Sequence, residues 1–190
     1  MTIEPERQVD IIDLLLADHS TAKALFEHFT ESMGDQDRER WFRELTKVLV
    51  QHESAEEATI YPVVRGFGES GESVAEARVH EHTVAERLLR SMEHLDVMSA
   101  AFTSGVAKLH GAVLRHVQLE ESEVFPFLAE RTATSDREEL ARRYERYRHE
   151  APTHPHPHVP HTPPGNRVGT PLAAGADRIR DALRSPDDVS

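Results

Sequence analysis

His52-Glu53-Ser54-Ala55-Glu56-Glu57-Ala58-Thr59-Ile60-Tyr61-Pro62 and His116-Val117-Gln118-Leu119-Glu120-Glu121-Ser122-Glu123-Val124-Phe125-Pro126 are one phrase written twice. Each reads His, three residues, Glu-Glu, two residues, a β-branched residue, an aromatic and then Pro, and His116 follows His52 by 64 residues. A second correspondence precedes each copy. Asp18-His19 falls on Glu81-His82 at an offset of 63, with Ala22 over Ala85 and Leu25 over Leu88. The chain is therefore a helix pair repeated, and the repeat carries histidine and carboxylate at matching places.

The helical reading comes from periodicity. Apolar residues recur at three- and four-residue spacing over about 8–32 (Val9, Ile12, Leu16, Phe26, Phe29), 37–65, 73–95 and 100–131, with Gly and Pro mainly in the breaks. Four such segments joined by short loops predict an all-α, up-down-up-down four-helix bundle, because short connections force antiparallel neighbours. A short fifth helix is expected from Ser135, with Glu138 completing a capping box, to near His149. The composition then changes to Ala-Pro-Thr-His-Pro-His-Pro-His-Val-Pro-His. This places a bundle domain at 1–150 and a Pro/His-rich tail at 151–190, extended or disordered, with one amphipathic candidate at 172–183.

The motif residues lie on the inward stripes. Leu45 and Val48 lead through His52 and Glu56 to Thr59 and Val63; Leu109 and Val113 lead to His116 and Glu120. His19 lies between Leu16 and Phe26, and His82 between Val79 and Leu89. Residues four apart are neighbours on a helix, so each His-x3-Glu pair sets an imidazole beside a carboxylate in the core. Two unpaired buried carboxylates would cost several kcal/mol each, so a cation is expected among them. Imidazole and carboxylate without sulfur suit iron, manganese or zinc, and four histidines with two bridging-capable carboxylates suit a pair of ions. Glu57 and Glu121 read as groups behind the ligands or on the surface. Tyr61-Pro62 and Phe125-Pro126 read as packing and kink elements.

Composition excludes other classes. There is no cysteine, which removes disulfides, thiolate metal sites and thiol catalysis. The net charge of −12 gives no nucleic-acid or anionic-membrane footprint. No apolar run approaches a membrane span, and Met1-Thr2-Ile3-Glu4-Pro5-Glu6 lacks signal-peptide character, so a cytoplasmic protein is expected. Ferritin-like bundles carry Glu-x-x-His, and no bundle histidine here has Glu three residues before it. His52-Glu53-Ser54-Ala55-Glu56 is one residue short of a zincin motif, but Val117 replaces Glu53 in the second copy.

The paired His-x3-Glu-Glu motifs with their aromatic-Pro follow-on, together with the single His on the first and third helices, resemble the hemerythrin-like, or HHE cation-binding, domains of bacterial type over about 8–131. The resemblance implies a non-haem di-iron centre held by His19, His52, Glu56, His82, His116 and Glu120, able to take dioxygen, nitric oxide or peroxide, with possible redox activity toward the last two. Iron storage or regulation without turnover is the alternative it leaves open. Oxygen-carrying hemerythrins have a second histidine on the third helix, four residues from the first. Here Arg78 and Glu86 flank His82 at that distance. Glu86 and Glu53 are the candidates for the missing ligand. Such a change hardens the site and favours redox turnover or sensing over reversible oxygen carriage.

Overall fold

A computed structural model describes residues 9–29 and 34–154. They form an all-α bundle: α1 Ile11–His28, α2 Asp35–Thr59, α3 Tyr61–Arg65, α4 Glu69–Met92, α5 Ala100–Leu119, a π-helical turn Glu120–Val124, α6 Phe125–Arg131 and α7 Thr134–Glu150. The long helices α1, α2, α4 and α5 make the four-helix core, and α7 packs as a fifth helix against α1 and α2. Asp10 caps α1 by accepting from the Ile12 amide at 3.0 Å, and Ser99 caps α5 by accepting from Phe102 at 3.1 Å. Among the described residues no helix is long and apolar enough to cross a membrane.

Three local expectations are corrected. The expected continuous helices 37–65 and 100–131 are each interrupted within the motif, at Ile60 and at the π turn Glu120–Val124. The cause is Pro62 and Pro126, each in the first turn of the next helix: lacking an amide hydrogen, proline cannot continue the ladder. In the second copy the Phe125 amide reaches back five residues to the Glu120 carbonyl. On α1 the buried face runs Ile11, Leu15, His19, Ala22, Phe26, whereas Val9 and Leu16 are exposed, because Leu15 is the residue one full turn before His19. The Ser135 capping box does not form; α7 begins at Thr134 after Ala133, with no side-chain cap. Arg137 instead ties this start to the Asp10 carboxylate at 2.7 Å and the Thr132 carbonyl at 2.8 Å.

The core is divided by a polar layer. On one side pack Phe26, Trp41, Leu45, Leu49, Leu89, Met92, Phe102, Leu109 and Val113. On the other pack Ile11, Leu15, Ile60, Tyr61, Val64, Ala75, Val124, Phe125, Leu128, Leu140 and Tyr144. Between them lie His19, His52, Glu56, His82, His116 and Glu120, all buried. α3 is seated against α4 by Gly71, where an added Cβ would lie 2.1 Å from the Val64 carbonyl oxygen. The expected tail beyond residue 154, including the helix at 172–183, lies outside the described residues.

Candidate metal centre

Each of the four core helices delivers one imidazole to the layer, and each ring is fixed from behind. His19 Nδ1 lies 3.1 Å from Glu121, His82 Nδ1 2.9 Å from Glu57, and His116 Nδ1 3.0 Å from Glu81. His52 Nδ1 lies 2.7 Å from the Tyr144 hydroxyl, which itself donates to Asp18 Oδ2 at 2.7 Å. An ionised carboxylate only accepts, so His19, His82 and His116 each donate from Nδ1. His52 does the same to Tyr144, whose proton is committed to Asp18. In a neutral imidazole this leaves Nε2 as a bare lone pair.

All four lone pairs are aimed inward at oxygen. His19 Nε2 is 3.1 Å from Glu120 Oε2, and His116 Nε2 is 3.6 Å from the same atom. His52 Nε2 is 3.2 Å from Glu56 Oε1, and His82 Nε2 is 3.4 Å from Glu56 Oε2. His82 and His116 approach each other Nε2 to Nε2 at 3.3 Å. Tyr61 supplies a donor hydroxyl here: it donates to Glu120 Oε1 at 2.9 Å, with Glu56 Oε2 at 3.4 Å and His82 Nε2 at 3.2 Å. Its repeat partner Phe125 has no hydroxyl and instead stacks on His19 at 5.7 Å.

The layer is thus rich in acceptors and poor in protons. His52 Nε2 and Glu56 Oε1 are buried with no hydrogen-bond partner at all. Leaving such groups unsatisfied costs about 1–3 kcal/mol each. A cation removes the conflict. Two donors each about 2.1 Å from one ion sit about 3.0–3.4 Å apart in octahedral or tetrahedral geometry, close to the separations here. The donor atoms fall into two clusters, His19 with His52, Glu56 and Glu120, and Glu56 with His82 and His116, so Glu56 belongs to both.

Burial shapes the ionisation of the layer. It pushes the His52 pKa down to about 4 against the opposing pull of the Asp18 carboxylate, and it pushes His82 down as well. Burial and the neighbouring Glu120 push Glu56 well up. Burial would raise Glu120 too, but the surrounding imidazoles, His19 at 3.1 Å first and then His116, hold it below the ordinary carboxylate range. One carboxyl of the pair therefore keeps a proton that an ion would displace.

The structure brings together all six residues expected from the sequence. Glu53 and Glu86 join neither donor cluster. Glu53 is buried and lines a cavity of about 20 Å³ on the side of the histidines away from Tyr61, with Ala22, Leu49, Ala85, Val113 and Val117 as apolar wall. That is room for about one water-sized molecule. Burial, then repulsion from Glu57, Glu86 and Glu120, pushes the Glu53 carboxyl well up. Three supports were missed in the sequence. Asp18 and Glu81 precede His19 and His82 at matching repeat positions, a visible signal, but Tyr144 lies outside the repeat. Arg78, four residues before His82, is buried and donates to Glu81 at 2.9 Å.

Comparison with known proteins agrees with this geometry. The Hemerythrin HHE cation binding domain family matches residues 10–128. An uncharacterized hemerythrin-like protein of Schizosaccharomyces pombe is 26% identical over 174 residues, covering 91% of this chain and 86% of that protein. A DNA nickase of Nostoc sp. is 28% identical over 136 residues, covering 72% of this chain but only 38% of the nickase. No solved structure matches.

Proposed function

Because the chain belongs to the hemerythrin HHE cation-binding family, we propose that its polar layer is a non-haem di-iron centre that handles or senses dioxygen, peroxide or nitric oxide. His19, His52, Glu56, His82, His116 and Glu120 are the ligands, with Glu56 shared between the two positions. The observation that carries this reading is the set of mutually facing lone pairs, above all the unpartnered His52 Nε2 and Glu56 Oε1. Iron held there supplies redox chemistry toward a small oxygen or nitrogen ligand. The protein's own part is to fix four rings through their Nδ1 atoms, to hold on Glu56 a proton that an ion would displace, and to admit a molecule no larger than the small, largely apolar cavity allows. Glu53, on the wall of that cavity, is the better placed of the two extra carboxylates; Glu86 is only half-buried. Arg78 and Glu86, rather than a second histidine, four residues either side of His82 support turnover or sensing over reversible carriage.

The test is anaerobic loading with ferrous iron followed by dioxygen, peroxide or nitric oxide. A handling or sensing role predicts new optical bands with at least one of the three, and catalytic loss of peroxide or nitric oxide would establish turnover. Iron that binds but is optically indifferent to all three would overturn this role and favour storage or regulation. The nickase relative suggests a second reading, action on DNA. The net charge of −12 weighs against it, and a plasmid-nicking assay is expected to show no cleavage.

A further inference from the structure

The two halves of the repeat support their histidines differently. In the second half His116 Nδ1 meets Glu81 directly at 3.0 Å. The repeat-related residue in the first half is Asp18, one methylene shorter, and its Oδ2 lies 3.6 Å from His52 Nδ1, beyond hydrogen-bond reach. The gap is filled by Tyr144. Its hydroxyl accepts from His52 and donates to Asp18, each at 2.7 Å, and Arg148 of the same helix donates to the other Asp18 oxygen. Tyr144 is fully buried, and it stands on α7, beyond the residues 10–128 that the family match covers. Glu81 and its partner Arg78 both stand on α4, inside that match.

The geometry points to Tyr144 as a positioning residue that sets the tautomer and orientation of His52, making the His19–His52 metal position dependent on α7 while the His82–His116 position is not. This rests on the two-ion reading of the layer. It makes the positions inequivalent: one is completed by the repeat alone, the other by a helix added to it. A helix outside the metal-binding repeat thereby controls the occupancy of one of its sites.

The full-length protein with Tyr144→Phe keeps the ring and removes the hydroxyl. Ferrous iron is titrated anaerobically against a competing chelator, and the His52 tautomer is read by ¹⁵N NMR on the metal-free protein. Loss of a support of this kind weakens a metal site by about 10–100-fold. One of two binding phases is expected to weaken by that factor, the other to stay in place, and His52 to lose its fixed Nδ1–H form. Asp18→Glu added to Tyr144→Phe supplies the missing methylene and is expected to restore both readouts in part. If Tyr144→Phe fails to fold, Asp18→Asn, which keeps the shape and removes the charge, is expected to show the same selective loss. Two unchanged phases with an unchanged tautomer, or equal weakening of both, would overturn the assignment. If the unaltered protein takes up no iron, the di-iron reading fails instead, and the tautomer measurement still decides the role of Tyr144.

Discussion

Replacing Glu56 by methionine should stabilise the protein without metal and prevent its stabilisation by metal. Glu56 is fully buried, its Oε1 accepts no hydrogen bond and faces the His52 Nε2 lone pair at 3.2 Å, and its Oε2 has the His82 Nε2 lone pair at 3.4 Å and a long 3.4 Å contact from Tyr61, which keeps its shorter bond to Glu120. Methionine is unbranched and of similar volume, so little packing is lost. Substituting apolar groups for buried ionic ones is often neutral or stabilising by about 1–4 kcal/mol, and an orphaned acceptor alone costs about 1–3 kcal/mol. In chelator Glu56→Met is therefore expected to gain about 1–3 kcal/mol, at about 2–4 °C in Tm per kcal/mol for a chain of this size. With ferrous iron the order reverses. An ion at one hundred times its dissociation constant adds about 2.7 kcal/mol per site to the unaltered protein, whereas the variant lacks the carboxylate that both donor clusters share. Thermal melts of both proteins in chelator and in iron measure the crossover. A variant less stable than its parent in chelator by 1 kcal/mol or more, about the value of one hydrogen bond, would refute the reasoning, since Glu56 would then be holding the fold rather than awaiting an ion.

Other predictions concern pH and the supports. The folded, metal-free protein holds protons on Glu53 and Glu56 that the unfolded chain releases above about 4.5, so those groups lower stability as pH rises. His52, at about 4, and His82 act oppositely, lowering stability as pH falls below the ordinary 6.5. The pairs offset each other between these values and leave a net loss above 6.5. Tm against pH in chelator should show that decline, and iron, by ionising Glu56, should reduce it. Glu57→Gln leaves His82 Nδ1 with a weaker acceptor and is expected to lower iron affinity about 10–100-fold by chelator competition, with far-UV circular dichroism unchanged. Gly71→Ala forces a Cβ to 2.1 Å from the Val64 carbonyl, and denaturant melts should show a loss of about 1–3 kcal/mol.

The polar layer was legible because two periodicities coincide there. The helical stripe marks which residues face inward, and the His-x3-Glu repeat marks chemistry on that stripe, so both point to the same six side chains. Legibility faded where one signal stood alone. On the first helix Leu15 and Leu16 are both apolar, and only packing distinguishes the buried one. The breaks at Pro62 and Pro126 were expected as kinks, but whether the chain restarts as a new helix or passes through a π turn depends on which carbonyl the next amide reaches. Asp18 and Glu81 were visible as repeat partners without a role, since the role rests on reach between helices. Tyr144 had no counterpart in the repeat and emerged only from the docking of α7.

The central claim is that this layer binds a pair of ions, and metal stoichiometry tests it most directly. After anaerobic loading and desalting, the protein should carry about two irons per chain, as expected for two donor clusters sharing a carboxylate, and His52→Ala and His116→Ala should each lose metal while remaining helical. Full iron retention in both variants, or an unaltered protein that folds and melts identically with and without metal and retains none, would contradict it.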